Sequence, residues 1–287
     1  MKKYIGFLYI IALFYSTQLS AQIDTNWVSI VSKKYTLNIN DLNLDDFSQE
    51  VKYHALIIGV QDYQDNSFPD LKEPIADAER LRKILNDFYT FEPSTTLLLK
   101  NPTKYELSKA LEDLAKKIGS NDNLLIFYAG HGEWDPKSET GYWLPSDAIK
   151  SDRSSWFSNS SLRDYIRAIS ARHVLLITDA CFGGSLFRGD ETNMRESTIF
   201  EELNQLPSRK AMTSGALRLV PDDSIFIDYL IRRLGQNTHR YLPADRLFYS
   251  FNKDVLLESP GQTPQFRTIQ NAGEDNGGEF IFKRKKQ

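Results

Sequence analysis

A cysteine and a histidine, fifty positions apart, each follow a short apolar run that ends in small residues. Cys181 is the only cysteine among the 287 residues, and it follows a run that begins at Leu175. His131 stands between Gly130 and Gly132, just after the run 124–129. A thiol beside an imidazole forms a nucleophile with its base, and the thiolate is the form that attacks a carbonyl carbon. The pair therefore predicts cysteine-based acyl transfer.

The elements that must carry these two residues are strands of a parallel sheet. Both runs are too short for helices and mainly apolar, which is typical of strands buried on both faces. In open α/β sheets the chemistry gathers beyond the carboxyl ends of the strands, where His131 and Cys181 would meet. Helical periodicity separates the strands, and this alternation predicts helices on both faces of the sheet. The predicted strands cover 55–60, 96–99, 123–128 and 173–178, and the predicted helices cover 75–88, 101–118 and 162–169.

The second half of the chain is less regular. The long polar stretch 183–208 predicts a surface loop. Beyond it, the pattern predicts a strand and turn at 210–215, helices at 224–234 and 244–257, and final strands at 263–266 and 278–282. None of the histidines His54, His173 and His239 follows a strand in the way that His131 does, so we expect structural roles for them.

The N-terminus has the pattern of a secretory signal peptide. A basic start precedes an apolar stretch, 4–15, and the small residues up to Ala21 suit cleavage at that point. The apolar stretch is too short to span a bilayer, and no later stretch approaches the necessary length. We therefore expect a secreted or periplasmic protein without a membrane span, the alternative being an ordinary buried first helix. The expected parts are a signal peptide (1–21), an N-terminal extension (22–52) and a main domain (53–287).

Charge and cysteine content restrict the partners further. The formal net charge is −3 at pH 7, which gives no basic footprint for nucleic acid. The basic tail 283–286 is short and is expected to be solvated. A single cysteine cannot form an internal disulfide, and an odd thiol in a secreted chain indicates reactivity or pairing between molecules.

Several motifs, in order along residues 53–282, resemble the caspase–metacaspase cysteine peptidases, and most closely the bacterial metacaspase-like branch. The resemblance implies a caspase-like three-layer αβα sandwich around a mostly parallel central sheet of about six strands. The interval between histidine and cysteine agrees with it. The motifs are Ala55 to Val60 with Asp62-Tyr63, Ala76-Asp77-Ala78, Tyr128-Ala129-Gly130-His131-Gly132, Gly141 to Asp147, Asp179-Ala180-Cys181-Phe182-Gly183-Gly184 and Thr213-Ser214-Gly215.

The resemblance implies a role for each residue of the predicted dyad. Cys181 would be the nucleophile and His131 the general acid and base. The backbone N–H groups of Gly132 and Cys181 would hold the oxyanion of the tetrahedral intermediate. The alternative for His131 is a structural histidine.

Two acidic residues suggest the substrate. Asp179, two residues before Cys181, stands where classical caspases have a glutamine and metacaspases an aspartate. A carboxylate in the pocket for the substrate's P1 residue would select Arg or Lys through charge-assisted hydrogen bonds. Asp77 matches the family's second acid. The alternatives are a turn-forming role for Asp179 and a favourable carboxylate at a helix N-terminus for Asp77.

The sequence also departs from the metacaspase pattern. Phe182 and two glycines follow the cysteine in place of His-Ser-Gly, which puts the neighbouring subsites in doubt. Many metacaspases bind calcium through an acidic cluster. Asp147 matches one of its positions, but the paired acids expected later fall near Asn159-Ser160, which are not acidic. We therefore predict no metal site and no required cofactor, with calcium left as an open alternative.

The loop after the nucleophile offers candidate sites of self-cleavage. Arg188 and Arg195 lie in the predicted surface loop, and relatives are often processed in this interval. The resemblance further indicates a monomer acting on protein or peptide substrates. Two other classes stay open: a catalytically silent caspase-like binding module, and an enzyme on the same scaffold with non-peptide substrates.

Overall fold

A computed structural model describes residues 51–180, 204–215, 223–259 and 262–286. The predicted signal peptide and nearly all of the N-terminal extension lie outside these residues. The strands are β1 (Tyr53–Gly59), β2 (Phe91–Lys100), β3 (Asn123–Ala129), β4 (Gly132–Asp135), β5 (Thr140–Trp143), β6 (Phe157–Ser158), β7 (His173–Asp179), β8 (Ser208–Thr213), β9 (Tyr241–Pro243), β10 (Gln265–Thr268) and β11 (Ile281–Lys283). The helices are α1 (Pro74–Phe88), α2 (Lys104–Lys117), α3 (Asn159–Ala168), α4 (Ile225–Gln236), α5 (Ala244–Tyr249) and α6 (Asn252–Glu258).

A six-stranded sheet forms the centre of the molecule, in the order β10-β8-β7-β3-β1-β2. The pairs from β8 to β2 are all parallel, and only β10 runs antiparallel, against β8. Parallel strands need crossover connections, which α1, α2 and α3 provide between consecutive strands. The predicted mixed, mostly parallel sheet of about six strands is confirmed.

Alternate side chains of the central strands enter two separate cores. In β1, Leu56 and Ile58 face one side, whereas Ala55 and Ile57 face the other, as the two-residue period of a strand requires. The apolar faces of α2 and α3 cover the first side, and those of α1, α4 and α5 cover the second. All seven residues of β3 and of β7 are buried. The layered sandwich follows from these two apolar faces.

Three parts of the fold differ from the sequence prediction. The predicted helix 244–257 is two helices, α5 and α6, interrupted at Ser250 and Phe251. The predicted final strand at 278–282 becomes β11, which pairs with the short β9 outside the main sheet. A further small sheet, β4-β5-β6, was not predicted. Gly278 precedes β11, where a Cβ would lie 1.8 Å from the carbonyl oxygen of Leu206, so only glycine fits.

Beside β11, Glu279 is a buried carboxyl group that costs stability when it is charged. It is 5% exposed, and its Oε1 has no hydrogen-bond partner among the residues that the structure describes. Burial raises the pKa of Glu279 to about 8; the charge of Asp245 raises it further, whereas Lys210 opposes the shift. Between about pH 4.5 and pH 8, Glu279 therefore keeps its proton in the folded state, whereas in the unfolded chain, where its pKa is near 4.5, it has lost it.

We expect Glu279→Gln to stabilise the protein at neutral and alkaline pH. The wild-type free energy of unfolding should fall as pH rises from about 4.5 to about 8, because unfolding releases the extra proton. The neutral amide avoids this loss, and the expected gain at the alkaline end is at most about 5 kcal/mol. Thermal unfolding at a series of pH values would measure it. Equal melting temperatures for both proteins at every pH would contradict the prediction.

Candidate active site

The register of the sheet brings the ends of β1, β3 and β7 to one level. Ala129, the last residue of β3, lies opposite Gly59 of β1 and Asp179 of β7. His131 therefore follows β3 by the same two residues by which Cys181 follows β7. Cys181 itself lies outside the described residues, which stop at Ala180 before the gap 181–203. Both predicted dyad residues therefore follow strands that end at the carboxyl edge of the sheet.

The imidazole of His131 is half-buried and has a defined orientation. Its Nε2 lies 2.8 Å from the carbonyl oxygen of Pro69. A carbonyl oxygen only accepts hydrogen bonds, so Nε2 carries the proton in this contact. In the neutral ring Nδ1 is then the nitrogen that can accept a proton. This arrangement is the one that a general base needs.

Two tyrosines hold the backbone of His131. The His131 N–H donates to the hydroxyl oxygen of Tyr63 at 2.8 Å, and the Tyr128 hydroxyl donates to the His131 carbonyl oxygen at 2.7 Å. That carbonyl also accepts the N–H of Leu144 at 3.1 Å. Tyr128 stacks on the buried Trp143, with ring centroids 4.3 Å apart. The segment after β3 is therefore fixed by a packed aromatic core.

The glycines on either side of His131 have different tasks. Gly130 has φ +154°, and a Cβ there would lie 3.0 Å from the Tyr128 hydroxyl oxygen and 3.1 Å from Val60. Its missing side chain allows the sharp exit from β3. Gly132 is the first residue of β4 and lies opposite Trp143 of β5. The small sheet β4-β5-β6 thus fixes the residue predicted to supply an oxyanion N–H.

Asp179 is a buried carboxylate at the same edge of the sheet. It is 7% exposed, and its Oδ1 has no hydrogen-bond partner among the described residues. Burial raises the pKa of Asp179 to about 6; the nearby hydroxyls of Ser214 and Ser224 oppose the shift, and the charge of Asp77 adds to it. Buried polar atoms without partners are rare in proteins, and they call for an explanation. A carboxylate oxygen with spare capacity suits a cationic ligand.

Asp77 lies in the first turn of α1 and is also buried, at 3% exposed. Burial raises its pKa, although Arg80 opposes the shift. The Arg80 guanidinium donates through Nη2 to Oδ1 of Asp77 at 2.5 Å and to Oδ1 of Asp228 at 2.8 Å. Arg80 therefore links the first turns of α1 and α4. The bond from Arg80 to Asp77 has a sequence signal in their i,i+3 spacing, whereas the bond from Arg80 to Asp228 has none.

A cavity of about 520 Å³ opens next to Arg80 and Asp228. This volume lies in the range of sites for small molecules. Three of its charged residues are acidic and two are basic. The lining consists of Lys72, Glu73, Ala76, Arg80, Asp223 and Asp228.

Asp147, one of the residues considered for calcium, is engaged in a hydrogen bond at a helix terminus. Oδ1 of Asp147 accepts the N–H of Lys104, at the start of α2. Within the described ranges, no group of three or more His, Cys, Asp or Glu side chains is arranged to hold an ion. Asp147 thus belongs to a helix terminus, and we derive no step through calcium.

The other predicted residues have simple outcomes. Arg188 and Arg195 lie in the range 181–203, outside the described residues. His173 is fully buried, with Nδ1 2.9 Å from the Ser208 hydroxyl, and burial lowers its pKa to about 4.

Within the ranges that the structure describes, no helix is long and apolar enough to cross a bilayer.

Comparison with known proteins agrees with this geometry. The family described as the Caspase domain matches residues 52–272, well over half of the chain. The chain belongs to the caspase-domain family. The match includes the strands that precede His131 and Cys181 as well as the two buried acids Asp77 and Asp179. The resemblance stated from the motifs is therefore confirmed, and the family is one of cysteine peptidases.

Among curated proteins, this caspase-domain chain is similar to two plant metacaspases. It is 26% identical to metacaspase-7 of Arabidopsis thaliana over 176 residues, which cover 56% of this chain and 40% of the relative. It is also 26% identical to metacaspase-4 of the same plant over 177 residues, covering 57% and 41% respectively. The chain thus spans about two fifths of the length of these relatives.

Two solved structures share the fold. Caspase-1 from Spodoptera frugiperda superposes with a TM-score of 0.56 at 17% identity, covering 76% of this chain and 87% of that one. The protein GSU0716 from Geobacter sulfurreducens gives 0.54 at 16% identity, covering 79% and 99%. The predicted caspase-like αβα fold is therefore confirmed.

Proposed function

We propose that this protein is an exported cysteine endopeptidase that cleaves after Arg or Lys through His131 and Cys181. The observation that carries the proposal is the pairing of Ala129 with Asp179, because each dyad residue follows its strand by two positions beyond this pair. The N-terminal pattern supports export, and the resemblance to metacaspases supports a monomer. No cofactor enters the proposed reaction.

The proposed reaction proceeds in two steps. The Cys181 thiolate attacks the carbonyl carbon of the substrate, and a C–S bond forms while the N–H groups of Gly132 and Cys181 hold the oxyanion. Protonated His131 gives its proton to the leaving amine as the C–N bond breaks, which leaves a thioester. A water molecule then attacks the thioester and loses a proton to His131, so that the acid is released and the thiolate returns.

The proposed specificity rests on the two buried acids. Oδ1 of Asp179 has no hydrogen-bond partner within the part of the chain that the structure describes, so a guanidinium or ammonium group would complete its hydrogen bonding. Asp77 already accepts a bond from Arg80, so its charge is partly neutralised. Asp179 is therefore the main recognition residue in this proposal, and Asp77 supports it. A bidentate contact would favour Arg over Lys.

The experiment that tests the function is a library of fluorogenic peptides that differ only in the P1 residue. The full chain, purified with its natural N-terminus, should cleave the Arg and Lys peptides. Cleavage after Asp or after apolar residues would contradict the specificity. No cleavage of any peptide, with Cys181 still reactive toward iodoacetamide, would favour the silent binding module.

Self-processing within the interval 181–203 is a further expected result. Exposed loops are the preferred sites of nicking, and Arg188 and Arg195 offer the basic residue that the proposed specificity requires. Incubated protein should yield fragments that start at Gly189 or Glu196, detected by mass spectrometry. The Cys181→Ala variant is the matched control and should stay intact. A wild type that is intact and fully active would contradict processing as an activating step.

A further inference from the structure

The loop between β1 and α1, residues 60–73, contacts both the ring and the backbone of His131. It provides the Pro69 carbonyl that accepts from Nε2 and the Tyr63 hydroxyl that accepts from the His131 N–H. The rings of Tyr63 and His131 also pack together, with centroids 4.9 Å apart and planes inclined at 35°. The loop 60–73, which is distant from His131 in the sequence, thus orients both its main chain and its side chain.

Tyr63 is itself held firmly. It is 7% exposed, and its ring packs against Phe68 at a centroid distance of 6.0 Å. Its hydroxyl reaches the carbonyl oxygen of Val60 at 3.4 Å, while the oxygen receives the His131 N–H. A buried aromatic ring with a polar tip is a rigid support, because packing leaves few rotamers open to it. Tyr63 therefore fixes where the residue after Gly130 lies.

Asp70 joins the two contacts of the loop. Its Oδ1 accepts the backbone N–H of Tyr63 at 2.9 Å. Asp70 directly follows Pro69, whose carbonyl oxygen receives Nε2–H of His131. The hydrogen bond between Tyr63 and Asp70 therefore helps to fix the distance between the Tyr63 hydroxyl, which binds the His131 backbone, and the Pro69 carbonyl, which binds its ring. Without the Tyr63–Asp70 hydrogen bond, the Pro69 carbonyl is held less firmly opposite Nε2 of His131.

We propose that Tyr63 and Asp70 are positioning residues for the reaction, which hold the His131 imidazole with its Nε2–H on the Pro69 carbonyl oxygen and leave Nδ1 as the nitrogen that takes up the proton. The proposal rests on the proposed function, since it assigns His131 the role of base. Neither residue touches the substrate in this scheme. Their effect is on the geometry of proton transfer, where an error of about 1 Å can cost about 10²-fold in rate.

The decisive variants remove one contact each. Tyr63→Phe keeps the ring and its packing but removes the acceptor of the His131 N–H. Asp70→Ala removes the bond to the Tyr63 N–H, and Asp70→Asn keeps an Oδ1 in the same place. Tyr105→Phe is the matched control, because Tyr105 is 74% exposed on α2 and takes no part in the site.

The measurements separate positioning from a general loss of structure. For Tyr63→Phe and Asp70→Ala, kcat on a cleaved peptide should fall about 10- to 100-fold while KM changes little, because proton transfer is impaired and binding is not. The rate of Cys181 alkylation by iodoacetamide, followed against pH, should reach its half-maximal value at a higher pH in both variants. A thiol loses reactivity near neutral pH when a neighbouring imidazolium moves away. Asp70→Asn should lose less than Asp70→Ala, and Tyr105→Phe should behave as the wild type.

Three outcomes would overturn the inference, and they are distinguishable. If the wild type cleaves peptides and Tyr63→Phe keeps both its kcat and its alkylation profile, the positioning role is wrong and the proposed function stands. If the wild type cleaves nothing and its thiol alkylates with the pH profile of a free cysteine, the proposed function is wrong and the inference falls with it. Lower melting temperatures with an unchanged alkylation profile would indicate a purely structural role and also contradict the inference.

Discussion

Replacing Cys181 with alanine is expected to abolish peptide cleavage, with a loss in kcat of at least about 10³-fold. Without the sulfur no thioester can form, and a water molecule would have to attack the amide directly. Because Cys181 is the only cysteine in the chain, iodoacetamide labelling of the native protein reports on this one thiol. Turnover of an Arg-ending fluorogenic peptide, measured beside the labelling, links activity to it directly.

The same experiment extends to His131. His131→Ala should lose nearly as much activity as Cys181→Ala, because residues that act as a unit give losses that do not add. The double variant should therefore resemble either single one. His239→Ala is the matched control, since that histidine is exposed and lies far along the chain, at the start of the turn before β9. Wild-type activity in Cys181→Ala would refute the dyad altogether.

The main sheet was predictable because its strands carry a strong signal. β3 and β7 are buried along their whole length, and their sequences are correspondingly apolar. The strands β4, β5 and β6 are only two to four residues long and partly exposed. Such short segments have no period to detect. Trp143 of β5, which lies opposite Gly132 of β4 and Phe157 of β6, is fully buried in the core.

The helix boundaries show a similar limit. Residues 244–257 carry a continuous helical pattern, yet the chain turns at Ser250 and Phe251 between α5 and α6. Phe251 is fully buried and packs against Phe226 and Phe248. Tertiary packing of this one ring outweighs the local preference for helix. No local rule could supply that information.

At the site, the sequence predicted residues that follow strands but not the contacts between distant segments. His131 was predicted from its position after an apolar run. The acceptor for its Nε2 is the backbone carbonyl of Pro69, 62 positions away in the chain, and a backbone group has no sequence signature. Likewise the pairing of Arg80 with Asp228 joins two helices that lie 148 positions apart. These contacts decide orientation and charge, and only the fold reveals them.

Asp179→Asn is expected to remove the preference for basic P1 residues, with a fall in kcat/KM for the Arg peptide of about 10²- to 10³-fold. The amide keeps the size of the carboxylate but leaves the substrate cation without its charged partner. Cys181 should stay reactive toward iodoacetamide, since the thiol does not depend on this charge. Asp77→Asn should cost less, because Arg80 already occupies the Asp77 carboxylate.

The selectivity of the wild type should also depend on pH. Because burial raises the pKa of Asp179 to about 6, the carboxylate is charged at pH 8 and increasingly protonated as pH falls below about 6. The ratio of kcat/KM for an Arg peptide to that for its Gln counterpart should therefore fall as pH falls through this range. In Asp179→Asn the ratio should be low and constant. A ratio that follows the same curve in both proteins would assign the pH dependence to another group.

The stability of Asp179→Asn distinguishes recognition from a structural role. The folded state binds the Asp179 proton more tightly than the unfolded chain does, so the wild type loses stability as pH rises from about 4 to about 6. Above about pH 6, the free energy of unfolding of Asp179→Asn should therefore exceed that of the wild type by about 3 kcal/mol at most, and its melting temperature should be higher. Below about pH 4, the two proteins should be equally stable. Glu279→Gln is the matched control: it replaces another buried carboxyl with a raised pKa, and it should stabilise without any loss of selectivity. If Asp179→Asn is instead less stable at every pH, the carboxylate supports the fold at that position, and the specificity assigned to it is wrong.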